Sequence, residues 1–476
     1  MPLTNDEIFD LASQAVKTMH QKYSSDFKFP VDLIWQYVPE GVEIPSGKRS
    51  HLPAKLIKAG LLYKTGAITK AASKQRAGSV TPEYRFGPAF IENAAPESAS
   101  VSASLAGMQS LMDAEGYVIS TAELANFFLA MTVSPLVILS GISGTGKSLL
   151  PRKFAQRTGS FFQAIPVQPQ WSDNSDLFGY VPTLSPANYI KGALLDSLIK
   201  SKQNPDKLVV ALLDEMNLAP VEHYFSDFLS VAETRVRNGE HIFTDALPIE
   251  LPQAIEGQPD PYAELRGIQL PPNLRVVGTA NMDETTHTFS PKVLDRAFTI
   301  EFDDPDLTSF ASGAAVDGAT SFGSLAEIVI RETNAISVLD ARAASQDLFE
   351  QIAQLLSEVQ DILAPAGIKF GYRTRDAILL YLHFWRELEL SSILSGYAAL
   401  DFCILQKVLP KVSGSGEALA EALKKLAAWL NAREEPQEGA DGVLADFSGP
   451  LARSLHKVER MAELLDLDGS TRYWGA

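Results

Sequence analysis

Eight residues, Gly141, Ile142, Ser143, Gly144, Thr145, Gly146, Lys147 and Ser148, follow the apolar run "SPLVILS". Their spacing is G-x-x-x-x-G-K-S. Glycines leave such a loop free of Cβ atoms, so its backbone N–H groups can turn inward onto phosphate oxygens. Lys147 would reach the β- and γ-phosphates. The Ser148 hydroxyl would ligate Mg²⁺. A helix beginning near Lys147 would add its positive N-terminal dipole. The whole run from Gly141 to Leu149 is therefore assigned to a nucleoside triphosphate.

Three further positions could complete that chemistry. "LVVALLDEMN" ends a buried strand with Asp214, which can hold Mg²⁺, and Glu215, which can polarise an attacking water. "LRVVGTAN" ends another strand with Asn281, whose amide can orient water near the γ-phosphate. Its strand is expected between the two that carry the loop and Asp214. "SPKVLDRAFTIEF" reads as a helix running into an edge strand, with Arg296 near the helix end. A guanidinium there could enter a neighbouring subunit's site and neutralise charge developing on the transferred phosphoryl group.

The elements that must position these residues form the central part of the chain. Near-continuous β-branched and aliphatic runs ("PLVILSG", "KLVVALLDE", "NLRVVGTAN", "AFTIEF") alternate with helical stretches, which predicts a parallel sheet buried on both faces. After Asp304 the strand signals cease and apolar spacings of three and four predict helices. Before it, residues 4–22 read as a capped helix, "PVDLIWQYV" and "HLPAKLIKAGLL" as short segments, and "YKTGAITKA" and "PEYRFG" as two strands. The expected division is 1–90 for a winged-helix-like α+β domain, 91–114 for a Ser/Ala/Glu-rich linker, 115–305 for the α/β domain and 306–476 for a helical lid and extension. No internal repeat is visible.

Charge sharpens this picture. The chain of 476 residues carries a net charge of −17. Yet nine Lys/Arg and a single acid, Glu83, lie between Gly47 and Phe86. A basic island on an acidic chain points to a localised anionic partner, and residues 48–85 are expected to meet DNA phosphates. The lone cysteine, Cys403, excludes an intramolecular disulfide and a multi-thiolate zinc site, and is expected to be a small buried residue. The first residues lack a basic, then apolar, secretory pattern. The longest apolar stretch, "LANFFLAMTVSPLVILSG", is broken by Asn126, Ser134 and Pro135. A cytoplasmic protein without a membrane span is expected.

Two stretches, "LLDEMNLAPVEHYFSDFLSVAE" and "VGTANMDETTHTFSPKVLDRA", resemble the McrB-type, dynein-related branch of the AAA+ NTPases, and the resemblance spans roughly 115–476. It implies a P-loop α/β/α fold with a helical lid, a hexameric ring with nucleotide sites between subunits, Mg²⁺ with ATP or GTP, and a separate McrC-type nuclease subunit. On that pattern Gly141, Gly144, Gly146, Lys147 and Ser148 form the phosphate loop, Asp214 and Glu215 the second motif, Asn281 the sensor and Arg296 the finger. Many AAA+ proteins place the finger directly before the Phe that opens the last strand. Here that place is Ala297, which leaves Arg296 as the local candidate. "FGYRTRDAILLYL" resembles the lid segment whose arginine senses the γ-phosphate, here Arg373 in preference to Arg375. Lys407 and Lys411, in "ILQKVLPKVSGSG", are expected on a solvated helix face. Trp171 and Tyr180 could grip a substrate or pack in the core. The Pro/Gly-rich stretch between Glu233 and Pro272 exceeds what a sheet connection needs and would face a pore or partner. The functional expectation is a ring motor for DNA restriction. The alternatives are a MoxR-like chaperone remodelling proteins and a scaffold that binds nucleotide without turnover.

Overall fold

The computed structural model describes residues 5–23, 28–38, 49, 52–58, 61–70, 80–86, 100–239, 241–282, 286–303, 307–308, 310, 321–331, 334–432 and 451–474. The chain divides into two compact units, Met1–Ala99 and Ser100–Ala476.

In the first unit, helix α1 (Asn5–Lys22) turns Ile8, Ala12, Ala15, Val16 and Met19 to one side. That stripe, spaced by three and four, meets Phe29, Ile34, Leu52, Leu56, Leu62 and Tyr84 in a small core. A 3₁₀ turn (Val31–Tyr37) and helix α2 (Leu52–Lys58) follow the short strand β1 (Phe29–Pro30). Strands β2 (Leu62–Lys70) and β3 (Val80–Phe86) pair antiparallel, and β1 adds to β3. Of the basic island, Lys48, Lys74 and Arg76 lie outside the described residues. Arg49 lies over the Trp35 ring, 5.6 Å from its centroid, and Lys55 is exposed.

The second unit opens with helix α3 (Val101–Ala114), capped by the Ser100 side chain accepting from the Ala103 N–H. Over residues 100–114 this departs from the linker expected for 91–114; residues 91–99 lie outside the described residues. The segment is poor in bulky residues, but Leu105, Met108 and Met112 fall on one face and are fully buried. Most of the other positions are small or polar, and that amphipathic spacing suffices for a helix packed on one face. Helix α4 (Thr121–Val133) starts with a capping box between Ser120 and Glu123, and every residue from Leu124 to Val133 is buried.

Five parallel strands form the central sheet: β4 (Leu136–Gly141), β5 (Phe161–Pro166), β8 (Val209–Asp214), β11 (Leu274–Asn281) and β12 (Phe298–Glu301). Their spatial order is β12-β4-β11-β8-β5. The strand carrying Asn281 thus lies between the phosphate-loop strand and the Asp214 strand, as expected. All of β4, and all of β8 and β11 except their last residues, is buried, so both faces of the sheet are covered. Helix α5 (Leu149–Thr158) connects β4 to β5, and helix α7 (Leu195–Gln203) leads into β8. Between them, helix α6 (Ser175–Phe178) leads into a small hairpin, β6 (Gly179–Tyr180) with β7 (Ile190–Lys191). Helices α8 (Val221–Tyr224) and α9 (Ser226–Glu233) follow β8, and a second hairpin pairs β9 (Val236–Asn238) with β10 (His241–Phe243). The Pro/Gly-rich stretch behind it is anchored by buried Leu247, Leu265 and Ile268.

Helix α10 (Pro291–Leu294) precedes β12. The C-terminal region contains α11 (Gly323–Ile330), α12 (Val338–Leu363), α13 (Tyr372–Glu387), α14 (Ala398–Cys403), a π-helical turn (Ile404–Val408), α15 (Glu417–Asn431) and α16 (Ala452–Asp468). Strands do not end at Asp304. Ser413–Ser415 (β13) pairs antiparallel with Ser470–Arg472 (β14). Three residues of Ser-Gly-Ser carry no β signal of their own, so this pairing is a product of tertiary structure. Cys403 is buried, as expected. No helix among the described residues is long and apolar enough to cross a membrane.

Candidate nucleotide site

Parallel register brings the predicted residues to one edge of the sheet. Asn281 is level with Gly141 across β11 and β4, and Leu213 with Gly278 across β8 and β11. All of these strands run the same way, so Gly141, Asp214 and Asn281 end at the same carboxyl edge, where open α/β sheets bind ligands.

The loop leaves β4 through Gly141, whose φ is +137°. A Cβ there would lie 2.5 Å from both Asp303 Oδ1 and the Phe302 carbonyl oxygen, so glycine is required on two counts. Asp303, just beyond β12, accepts a hydrogen bond from the Ile142 N–H at 2.8 Å and so pins the start of the loop. Gly146 has φ +84° and packs against Tyr117, with 2.7 Å from an imagined Cβ to the ring. Lys147 is buried and donates to the Gly141 carbonyl at 2.9 Å and to that of Ile142. Burial lowers its pKa, and Asp303, Asp214 and Glu215 oppose that shift. Ile142, Ser143, Gly144 and Leu149 are exposed at the mouth of the loop, and the Thr145 hydroxyl donates to the Ile142 carbonyl at 3.1 Å.

The acids are locked to the loop and to each other. The Ser148 hydroxyl donates to Asp214 Oδ1 at 2.7 Å, and the Thr279 hydroxyl donates to the same oxygen at 2.7 Å. Thr279 Oγ1 in turn accepts the Glu215 N–H at 2.9 Å. Glu215 has φ +55° and ψ 49°, a left-handed conformation that costs a non-glycine residue about 1–2 kcal/mol. That conformation turns its side chain out of the strand, and Asn281 Nδ2 lies 3.4 Å from its Oε1. Asn281 is itself held, because its carbonyl accepts from Asn217 Nδ2 at 2.7 Å and the Thr286 hydroxyl at 2.8 Å. Tyr224 secures the turn after Glu215 by donating to the Met216 carbonyl at 2.8 Å. A hydroxyl and a carboxylate oxygen 2.7 Å apart suit Mg²⁺, which characteristically takes one or two protein ligands and leaves its other positions to phosphate and water. Held by these two residues, it would supply positive charge that neutralises the transferred group.

Arg296 and Arg373 are brought together, but away from this loop. Arg296 pairs with Glu233 at 2.6 Å through Nε and 2.8 Å through Nη2. Arg373 Nη2 meets the same Glu233 carboxylate at 2.6 Å. Both line a cavity with Ser134, Pro135 and Leu136, at the amino end of β4. Leu136 and Gly141, the two ends of that strand, are five steps apart, about 16 Å at ~3.3 Å per residue. Arg373 therefore lies away from its own chain's phosphate loop. Arg375 is paired with Asp376 and lies over the Tyr372 ring.

Lys407 and Lys411 depart from the expected solvated face. Lys407 is 1% exposed and donates to the carbonyls of Leu294, Asp295 and Ala297. Lys411 pairs with Asp295. Trp171 is buried edge-on against Tyr224, 5.3 Å between centroids, whereas Tyr180 is exposed on its hairpin. Trp171 is thus core, whereas Tyr180 is not. Thr279, Asp303, Tyr117 and Glu233 are site residues that the sequence did not single out.

The sheet order and the loop together define a P-loop type α/β fold. A family described as "Domain of unknown function (DUF8727)" matches residues 328–470, a C-terminal helical stretch outside the loop and the acids. A crystal structure of a "putative ATPase" from Cytophaga hutchinsonii is similar at 14% identity and a TM-score of 0.40, over 67% of this chain and 90% of that one. No curated protein matches the chain.

Proposed function

We propose that the chain is an AAA+ NTPase that assembles into a hexameric ring and drives a separate nuclease subunit in DNA restriction. The observation that carries the hydrolytic part is the chain of contacts from Ser148 through Asp214 and Thr279 to Glu215 and Asn281. In that chain Lys147 and the loop N–H groups bind the triphosphate. Ser148 and Asp214 would hold Mg²⁺. Glu215 takes the proton of an attacking water that Asn281 orients.

A ring supplies what one subunit lacks. Arg296 and Arg373 stand at the amino edge of the sheet, so the triphosphate they would serve is a neighbour's, not their own. The two stretches around Asp214 and Asn281 that resemble McrB-type proteins support the restriction role. The basic island supports recruitment to DNA, and the first unit would be the winged-helix-like module that binds it.

The test is turnover of ATP and GTP by the full chain, with and without DNA, beside Glu215→Gln. Nucleotide binding with hydrolysis cut at least about 100-fold in E215Q is expected. Undiminished hydrolysis would remove Glu215 from its role. DNA binding should weaken steeply with salt and be lowered by Arg49→Glu with Lys55→Glu. A full chain that hydrolyses nucleotide but binds no DNA at low salt would favour a protein-remodelling chaperone instead.

A further inference from the structure

The turn that carries Arg296 is held in an unusual way. Lys407, on the π-helical turn, sends its Nζ to three carbonyls: Leu294 at 3.2 Å, Asp295 at 3.0 Å and Ala297 at 2.6 Å. The last two flank Arg296 on either side. An ammonium has three donors, and here each has a backbone acceptor. One turn further on, Lys411 Nζ pairs with the Asp295 carboxylate and donates to the Thr374 hydroxyl at 2.7 Å. Thr374 directly follows Arg373. Lys411 therefore ties the Arg296 turn to the first turn of α13, which carries the other arginine.

The placement is costly. Burial, with Lys411 beside it, pulls the Lys407 pKa down to about 7 against the opposing charge of Asp295. A core that only needed filling would take an apolar side chain here. The supporting segment is itself fixed. Gln406, next in sequence, donates at 2.6 Å to Asn126 Oδ1, which also accepts from the Tyr381 hydroxyl at 2.8 Å. The lysines thus sit on a backbone anchored to α4 and α13, and they hand that anchorage to the arginine turn.

We infer that Lys407 and Lys411 are positioning residues that hold Arg296 and Arg373 as one unit for the phosphates of a neighbouring subunit. The inference rests on the proposed reading of those arginines. They touch no nucleotide themselves. They set the register of two guanidiniums that meet at a single carboxylate, Glu233.

The experiment compares Lys411→Met, Lys407→Gln, Arg296→Ala, Arg373→Ala and the double variant K411M/R296A in the full chain. Steady-state hydrolysis gives kcat and KM for whichever nucleotide the wild type turns over. A fluorescent nucleotide analogue gives affinity, light scattering gives assembly, and thermal melts give stability. A displacement of about 1 Å in a reacting group can cost roughly 100-fold, so K411M and K407Q are expected to lower kcat about 10- to 100-fold. KM, analogue affinity and assembly should stay within about twofold, and K411M/R296A should be no slower than R296A, because the lysine acts through the arginine. Lys411→Arg should restore most of the loss.

Three results would overturn the inference. One is lysine variants with wild-type kcat beside slow arginine variants, which would leave the reading of the arginines standing. Another is K411M lowering affinity and melting temperature together and multiplying with R296A, which marks a structural role. The third is R296A and R373A at wild-type kcat, which would remove both the arginine reading and anything to position. If K407Q fails to fold, partly exposed Lys411 carries the test alone.

Discussion

Thr279→Val probes the site at its least conspicuous member. Valine matches threonine in shape, so it opens no cavity in a strand position that is 2% exposed. It removes two hydrogen bonds, the 2.7 Å donation to Asp214 and the 2.9 Å acceptance from the Glu215 N–H. The first, to a charged acceptor, is worth about 1.5–3 kcal/mol, and leaving the Glu215 N–H unpaired costs about 1–3 kcal/mol. Glu215 also loses the bond that opposes its left-handed strain of about 1–2 kcal/mol. Relaxing that residue restores part of the loss in stability but moves the carboxylate. The expected result is a stability loss of about 2–4 kcal/mol by chemical denaturation. In steady-state hydrolysis kcat should fall about 10- to 100-fold with KM nearly unchanged. Thr279→Ser, which keeps the hydroxyl, should retain most activity. A folded T279V protein with kcat within twofold of wild type would refute the claim that Thr279 sets the geometry of Glu215.

Two other perturbations follow from the same geometry. Gly146→Ala forces a Cβ against Tyr117 and a left-handed φ on a chiral residue. It should abolish nucleotide binding in an equilibrium assay, and adding Tyr117→Ala should recover only the steric part of the loss. Glu301 is pushed up from its ordinary 4.5 to about 7, chiefly by burial, against the pull of Lys457. Between those values the folded state holds a proton that the unfolded state has released, so this group's contribution to stability falls as pH rises through the window, by up to about 1.4 kcal/mol per unit. Denaturation curves of Glu301→Gln across pH 4.5 to 7 should lose that slope, and an unchanged slope would assign it to another group.

Much of the site was legible because its chemistry is local in sequence. A phosphate loop needs its glycines and lysine within eight residues, and an Asp-Glu pair ending an apolar run marks a strand's carboxyl edge. The sheet order was likewise open to inference, and β11 lies where Asn281 required it. Thr279 was not legible, because in "LRVVGTAN" a threonine is an ordinary β-branched strand residue, and only register puts it opposite Asp214. Lys407 and Lys411 read as solvated because a lysine's spacing does not say which residues fill the space around it. The position of Arg373 depends on how α13 packs, which no local pattern states. Helix α3 was missed because its Ser/Ala content matches a linker's, and only three large residues mark its buried face.

Glu233 has a consequence for energetics beyond its two ion pairs. Its one carboxylate pairs with both arginines in a subunit considered alone and offsets one of their two positive charges. If those arginines serve a neighbour's triphosphate, joining the ring exchanges one anion for another and is not the capture of a ligand by free cations. The net gain is the difference between a carboxylate and a phosphate as partners, so it depends on what the neighbour holds. Assembly and nucleotide occupancy then become linked equilibria, each shifting the other by the same factor. A single carboxylate would set how strongly an empty ring holds together compared with a loaded one.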